Sequence, residues 1–293
     1  MLKIIEKTKI WFSISLIIMV IGAGFMVYRG GLNLGLDFIG GTQVDIKMPK
    51  DFSKSDVDAL VKKYADDAVI NTVEDTTNAS AEQVQVEIKS KNFDSAKVSD
   101  MVNELKSKYS LDDSALVSHT EIGPSIGSEL TTGAIKALVV AVIAMLLYIA
   151  VRFEFKFGVS AIVALFHDVL ITLSIYSIFN IPLNSPFIAA ILTIIGYSIN
   201  DTIVIFDRIR ENQKNMRGVP AVAVADISVT QTFTRSINTT LTTLLITTAV
   251  NVLVPTVREF TFPLVVGIAC GAYSSIFIAS PVWVMLKNKK ASR

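Results

Sequence analysis

Pro186–Phe206 reads PFIAAILTIIGYSINDTIVIF, an apolar run broken only by polar residues around Asn200 and Asp201. At about 1.5 Å per residue a helix of this length spans a hydrocarbon core of about 30 Å. Five other stretches have the same character: Ile10–Tyr28, Gly133–Val151, Gly158–Phe179, Ser236–Val254 and Phe262–Leu286. Backbone groups in lipid must be bonded internally, so the runs predict helices rather than strands. The composition agrees: 51% of residues are hydrophobic, 18% are charged, and the mean hydropathy is +0.53. An ordinary soluble domain carries about 25% charged residues. The expected fold class is a polytopic α-helical membrane protein with six transmembrane helices.

The net charge of +1 hides a division. Residues 30–131 hold 18 acidic and 10 basic side chains, leaving 8 acidic and 17 basic for the rest. An acidic soluble module is therefore set into a basic-flanked apolar frame. Cytoplasmic flanks of membrane spans retain Lys and Arg. Fourteen of these residues fall on the side of both termini, and only Arg29, Lys136 and Arg258 fall on the other. The expected organisation is a cytoplasmic N-terminus and first span over 1–29, an extracytoplasmic domain over 30–131, spans two to six over 132–286, and a cytoplasmic tail over 287–293. Lys3, Lys7 and Lys9 ahead of an apolar run also suit a signal peptide. The run continues past Gly22, Ala23 and Gly24, which favours an uncleaved span.

Within the module the periodicity changes in order. Thr42–Met48 alternates as a strand, and Ser53–Ala65 carries Val57, Leu60, Val61 and Tyr64 at helical spacing behind Ser53 as N-cap. Val69–Glu74 and Gln83–Ile88 read as strands joined by the turn Asp75–Ser80. Asp94–Tyr109 repeats the helical pattern, and Ala115–Ile122 closes as a strand. The order β-α-β-β-α-β predicts an α+β, ferredoxin-like domain. That fold hosts many functions. His119 stands alone in it, and the domain's acidity argues against nucleic acid as a partner.

Two carboxyls fall inside apolar spans: Asp168 after His167 in the third, and Asp201 after Asn200 in the fourth. A charge at the centre of a membrane helix costs about 2.5–3.5 kcal/mol on insertion scales, and such residues usually mark ion pathways. Protonation removes most of that cost. Arg235 opens the fifth span, followed by a polar stripe that includes Asn238, Thr239, Thr242 and Thr243. An Asp201–Arg235 pair would hold the carboxylate charged, and its separation would invite a proton. Asp201, Arg235, Asp168, His167 and Asn200 are thus the candidate proton relay, with interhelical hydrogen-bond glue as the plainer reading. Gly40 and Gly41 at the module's entry, and Gly123, Pro124 and Gly127 at its exit, are candidate joints. No G-x-x-x-x-G-K-[ST] loop and no nucleophile–base constellation occurs, so an enzyme is not expected. No cofactor or metal site is expected either. Cys270 is the single cysteine and cannot form an intrachain disulfide.

GLNLGLDFIGGT (Gly31–Thr42, including Asp37), EIGPSIGSEL (Glu121–Leu130), ALFHDV (Ala164–Val169), SINDTIVIFDRIREN (Ser198–Asn212) and QTFTRSINTTLTT (Gln231–Thr243) together resemble the SecF subunits of the bacterial SecDF protein-export complex. The resemblance covers essentially the whole chain. It implies a member of the resistance-nodulation-division superfamily that uses the proton-motive force to assist export through the Sec translocase. The functionally required aspartate and arginine of that family carry over to Asp201 and Arg235. A SecD-type six-helix subunit, the Sec channel complex and the exported unfolded polypeptide are the implied partners. The competing readings are a half-subunit of a proton-coupled small-molecule or lipid exporter, and a structural assembly subunit without proton coupling.

Overall fold

The computed structural model describes residues 2–73, 83–93, 95–152 and 154–288. It divides into two compact units, Leu34–Ala134 and the remainder of the chain on either side of it.

In the first unit, the sequence Gly41–Pro49 forms β1, Lys54–Val61 α3, Val69–Val73 β2, Gln83–Ser90 β3, Ser95–Tyr109 α4 and Leu116–Ile122 β4, after a short helix α2 at Leu36–Ile39. The sheet is antiparallel in the order β2-β3-β1-β4. Each β-α-β unit therefore skips one strand, which is the ferredoxin-like arrangement expected from the element order. Val44, Ile46 and Met48 alternate along β1 and are fully buried with Ile88 of β3 and with Met101 and Leu105 of α4. Each such side chain contributes about 1.5–3 kcal/mol of burial. Ser53 caps α3 by accepting from the Asp56 N–H, but the helix ends at Val61 rather than at Ala65. The chain continues as a turn in which the Tyr64 and Ala65 N–H groups still donate to the Val61 carbonyl. The expected turn Asp75–Ser80, and the ends of two expected elements at Glu74 and Asp94, lie outside the described residues.

The second unit is helical. Thr8–Tyr28 forms α1, Phe155–Phe179 α6, Ser185–Asn215 α7, Ala221–Leu253 α8, and Arg258–Ser274 α9, which passes through a π-helical turn at Ser275–Ala279 into α10, Ser280–Asn288. With α5 (Pro124–Arg152), six helices among the described residues are long and apolar enough to cross a membrane. Hydropathy under-reads α7 and α8, because both run on through polar sequence as an antiparallel pair joined only by 216–220. Cross-links explain the extension. Asn212 Nδ2 donates to Ser228 Oγ and Gln231 Oε1, both at 2.8 Å, and Arg208 Nε donates to Gln231 Oε1 at 2.6 Å.

This extension corrects the placing of Asp226, which falls between the runs Pro186–Phe206 and Ser236–Val254 and is therefore expected in a loop. It lies in α8, is buried, and its Oδ1 accepts the backbone N–H groups of Ile4 (2.9 Å) and Ile5 (3.1 Å). The carboxylate holds the amino end of the first span against α8. Asp226→Ala leaves two backbone donors without this acceptor, a loss of about 1–3 kcal/mol for a buried group. Asp226→Asn keeps an acceptor and is expected to lose less. Thermal unfolding in detergent, with proteolysis of the N-terminal segment as a local readout, distinguishes the two. Equal melting of both variants and wild type would show the contact to be dispensable.

Packing elsewhere is close because glycines permit it. A Cβ on Gly22 would lie 2.4 Å from Ser174 Cβ and 2.6 Å from its Cα, so α1 and α6 nearly touch. The small-residue row Gly267, Gly271, Ser275 and Ala279 seats against α7 of the same chain: Gly267 meets Ile194 and Gly271 meets Ser198.

Candidate functional site

Asp201 lies on α7 where that helix meets α8 and the π-helical turn, and only 7% of its surface is exposed. Its Oδ2 has no hydrogen-bond partner among the described residues, and neither do the buried Ser236 Oγ and Thr240 Oγ1 of α8. Of these, Ser236 faces Asp201 across the two helices, and a buried carboxylate oxygen left without a partner is a place where gaining a proton matters energetically. Next along α7, Thr202 Oγ1 meets Ser275 Oγ at 2.7 Å, and Ser275 Oγ donates to the Ser198 carbonyl at 3.3 Å. The π-helical turn thus presents Ser275 to both flanks of Asp201. Such turns concentrate at functional sites.

Asp201 and Arg235 are not joined by an ion pair among the described residues. Arg235 is exposed on α8, as are Asn238, Thr239 and Thr242, while Thr243 is half-buried. Asn200 is also exposed. The threonine hydroxyls donate back to their own helix: Thr239 to the Arg235 carbonyl (2.9 Å), Thr242 to that of Asn238 (3.0 Å) and Thr243 to that of Thr239 (2.9 Å). This leaves each oxygen free as an acceptor, and Tyr197 Oη uses that of Thr243 at 3.3 Å. The stripe is a polar face that the chain does not cover by itself.

Asp168 belongs to a second cluster. Ser198 and Ser274 donate to its Oδ2 at 2.6 and 2.8 Å, and Cys270 donates to its Oδ1 at 3.2 Å. His167 bridges Asp168 Oδ1, 3.1 Å from Nδ1, and Ser15 Oγ of α1, 2.8 Å from Nε2. Hydrogen bonds surround this carboxylate, unlike that of Asp201. Sequence reading found His167 and Asp168 but not Ser15, Ser198, Cys270 or Ser274. Nothing in a linear pattern joins residues separated by 30 to 152 positions.

The glycine segments are closely packed. Gly40 and Gly41 have φ of 74° and 131°, and a Cβ on Gly41 would lie 2.5 Å from the Ser90 carbonyl oxygen. A Cβ on Gly127 would come within 2.9 Å of the Phe38 carbonyl oxygen, which follows Asp37 on α2. The Gly123 carbonyl accepts the N–H groups of Ile126 and Gly127, with Pro124 at the first position of α5. The entry and exit segments are thus packed on one another within the smaller unit.

Comparison with known proteins gives this arrangement its context. The SecD/SecF C-terminal family of protein export membrane proteins matches residues 101–289, and the SecD/SecF GG motif matches residues 30–48. A protein named protein translocase subunit SecF from Sebaldella termitidis is 38% identical over 99% of this chain and 93% of its own length. This chain belongs to the SecF family. A protein translocase subunit SecDF from Thermus thermophilus is 36% identical over 95% of this SecF-family chain, which spans 38% of that longer protein. The crystal structure of SecDF from Thermus thermophilus superposes with a TM-score of 0.86 at 32% identity, over 98% of this chain and 39% of that one. A SecDF crystal structure in the super-membrane-facing form gives 0.71 at the same identity, over 99% of this chain and 39% of that one. The match therefore covers both units of this SecF-family chain and a minor part of a fused SecDF protein.

Proposed function

We propose that this multi-pass membrane protein is a proton-motive-force-driven accessory subunit of the Sec translocase, in which Asp201 takes up and releases the proton. The observation that carries the reading is the buried carboxylate oxygen of Asp201 that no described group satisfies. A carboxylate there favours either a proton or a cation brought close. Arg235 begins the polar face on the neighbouring helix and cannot lose its proton in practice. Its approach to Asp201 stabilises the charged state, and its withdrawal returns the proton. His167 and Asp168 support this site by fixing Ser198 on α7 and Ser274 on α9.

The exposed polar stripe of α8 and the relatives in which SecD and SecF are one protein support a SecD-type six-helix subunit as partner. The Sec channel complex and the exported unfolded polypeptide are the remaining partners of the reading. The orientation places both termini in the cytoplasm and residues 30–131 outside. Two of the three basic residues on the sparse side support it, because each is already engaged at a helix carboxyl end. Arg29 donates to the Ser177 and Ile178 carbonyls, and Arg258 to those of Asn251 and Val252. Arg29 and Arg258 are thus retained for capping.

The test replaces Arg235. If it acts by charge opposite Asp201, Arg235→Lys keeps part of the potential-driven stimulation of export in inverted vesicles and Arg235→Leu loses it, with topology unchanged. A reporter fused after Val254 that changes sides in the leucine variant would make Arg235 a topology anchor instead.

A further inference from the structure

The cluster around Asp168 also brings three metal-ligating residue types together. His167 Nδ1, Asp168 Oδ1 and Cys270 Sγ form a triangle with sides of 3.1, 3.2 and 3.7 Å. All three residues are buried, and their donor atoms converge with no other group between them. A zinc ion with bonds of about 2.0–2.3 Å to N, O and S has tetrahedral edges of about 3.3–3.6 Å. The triangle is thus one face of such a tetrahedron to within a few tenths of an ångström.

We infer that His167, Asp168 and Cys270 form a binding site for a zinc-like divalent cation inside the membrane-spanning unit. Three physical arguments favour a borderline-soft dication. A thiolate, a carboxylate and a neutral imidazole carry two negative charges, so the loaded site is neutral, as a low-dielectric interior demands. One sulfur, one nitrogen and one oxygen suit zinc, whereas magnesium and calcium take oxygen ligands. The surrounding hydroxyls are already placed to support the ligands. Ser198 and Ser274 bond the far oxygen of Asp168, leaving Oδ1 for the metal. Ser15 bonds His167 Nε2, which leaves Nδ1 as the coordinating atom.

A cavity of about 320 Å³ adjoins the triangle, with Ser15, His167, Cys270 and Tyr273 on its wall among apolar side chains. It gives a fourth ligand, such as water, room beside the sulfur and the imidazole. Binding removes the thiol proton of Cys270. The ion would join α6 to α9 and hold His167 on Ser15 of α1.

Cobalt(II) reports such sites directly, and Cys270 is the only cysteine in the chain, so a thiolate-to-cobalt charge-transfer band has one possible source. The 293-residue chain, purified in detergent and freed of metal with a chelator, is titrated with cobalt and then with zinc. The expected result is one equivalent bound, with the charge-transfer band and the strong visible bands of a tetrahedral ion, both abolished by zinc. Cys270→Ser should lose the charge-transfer band while melting like the metal-free wild type. Ser198→Ala should retain the band with affinity about 10–100-fold weaker, as for other residues supporting a ligand. Zinc should raise the melting temperature of the wild type and not that of Cys270→Ser. Absence of a thiolate band, or equal zinc stabilisation of both proteins, would overturn the assignment.

Discussion

Asp201→Asn is expected to abolish the part of protein export that depends on the proton-motive force and to leave the ATP-driven part intact. Asparagine keeps the shape of the side chain and its place between α7 and α8, and removes only the ability to gain and lose a proton. One charge moved across 100 mV supplies about 2.3 kcal/mol. That biases a two-state equilibrium about fiftyfold, since 1.4 kcal/mol is a factor of ten. All of that bias is lost in the variant. Inverted vesicles in which ATP and the membrane potential are varied separately give the measurement, with membrane insertion and level checked in the same preparation. Asp201→Glu, which titrates but is longer by one methylene, should retain part of the stimulation. Normal potential-dependent stimulation in Asp201→Asn would remove Asp201 from the mechanism.

The second large effect concerns the seam between α1 and α6. A methyl group on Gly22 meets Ser174 at its Cβ and at its backbone Cα, 2.4 and 2.6 Å away, so no rotamer change relieves the clash. The helices must separate. Ser177 Oγ donates to the Gly22 carbonyl at 2.9 Å two turns from the Ser15–His167 contact, and separation strains both. Overpacking of this kind costs about 1–3 kcal/mol or more. Gly22→Ala is expected to lower the melting temperature clearly, and Gly22→Leu to prevent accumulation in the membrane. Gly24→Ala is the control, because a Cβ there has nothing within 4 Å. Equal melting of the alanine variants at positions 22 and 24 would mean that α1 does not pack on α6 in this way.

Much of the architecture was legible in the sequence because it rests on local, repeated signals. A membrane span announces itself by about 20 apolar residues, and all six candidate spans occur where the runs stand. The strands and helices of the smaller unit follow from periods of two and 3.6, which decided even which side chains of α4 are buried: Val98, Met101, Val102 and Leu105. Asp168, Asp201 and Arg235 were visible for the same reason, since charge stands out against an apolar background. Where the background is itself polar the signal fades. Asp207–Asn215 and Ala221–Thr234 therefore passed for a loop, although they form the paired ends of α7 and α8.

Tertiary structure alone decided what surrounds each charge. Sequence fixes that an aspartate lies at a given depth, but the cost of its charge depends on groups brought from other helices. Asp168 gains Ser198, Cys270 and Ser274 from α7 and α9 and is surrounded by donors. Asp201 faces Ser236 of α8 and Ser275 of the π-helical turn, yet its Oδ2 stays without a hydrogen-bond partner among the described residues. Asp226 changes from an unremarkable polar residue to the acceptor for the amino end of α1. The physical reason is range. Hydropathy and periodicity are properties of neighbouring residues along the chain and survive in a linear reading. Hydrogen-bond satisfaction is set at about 3 Å between atoms that only folding brings together.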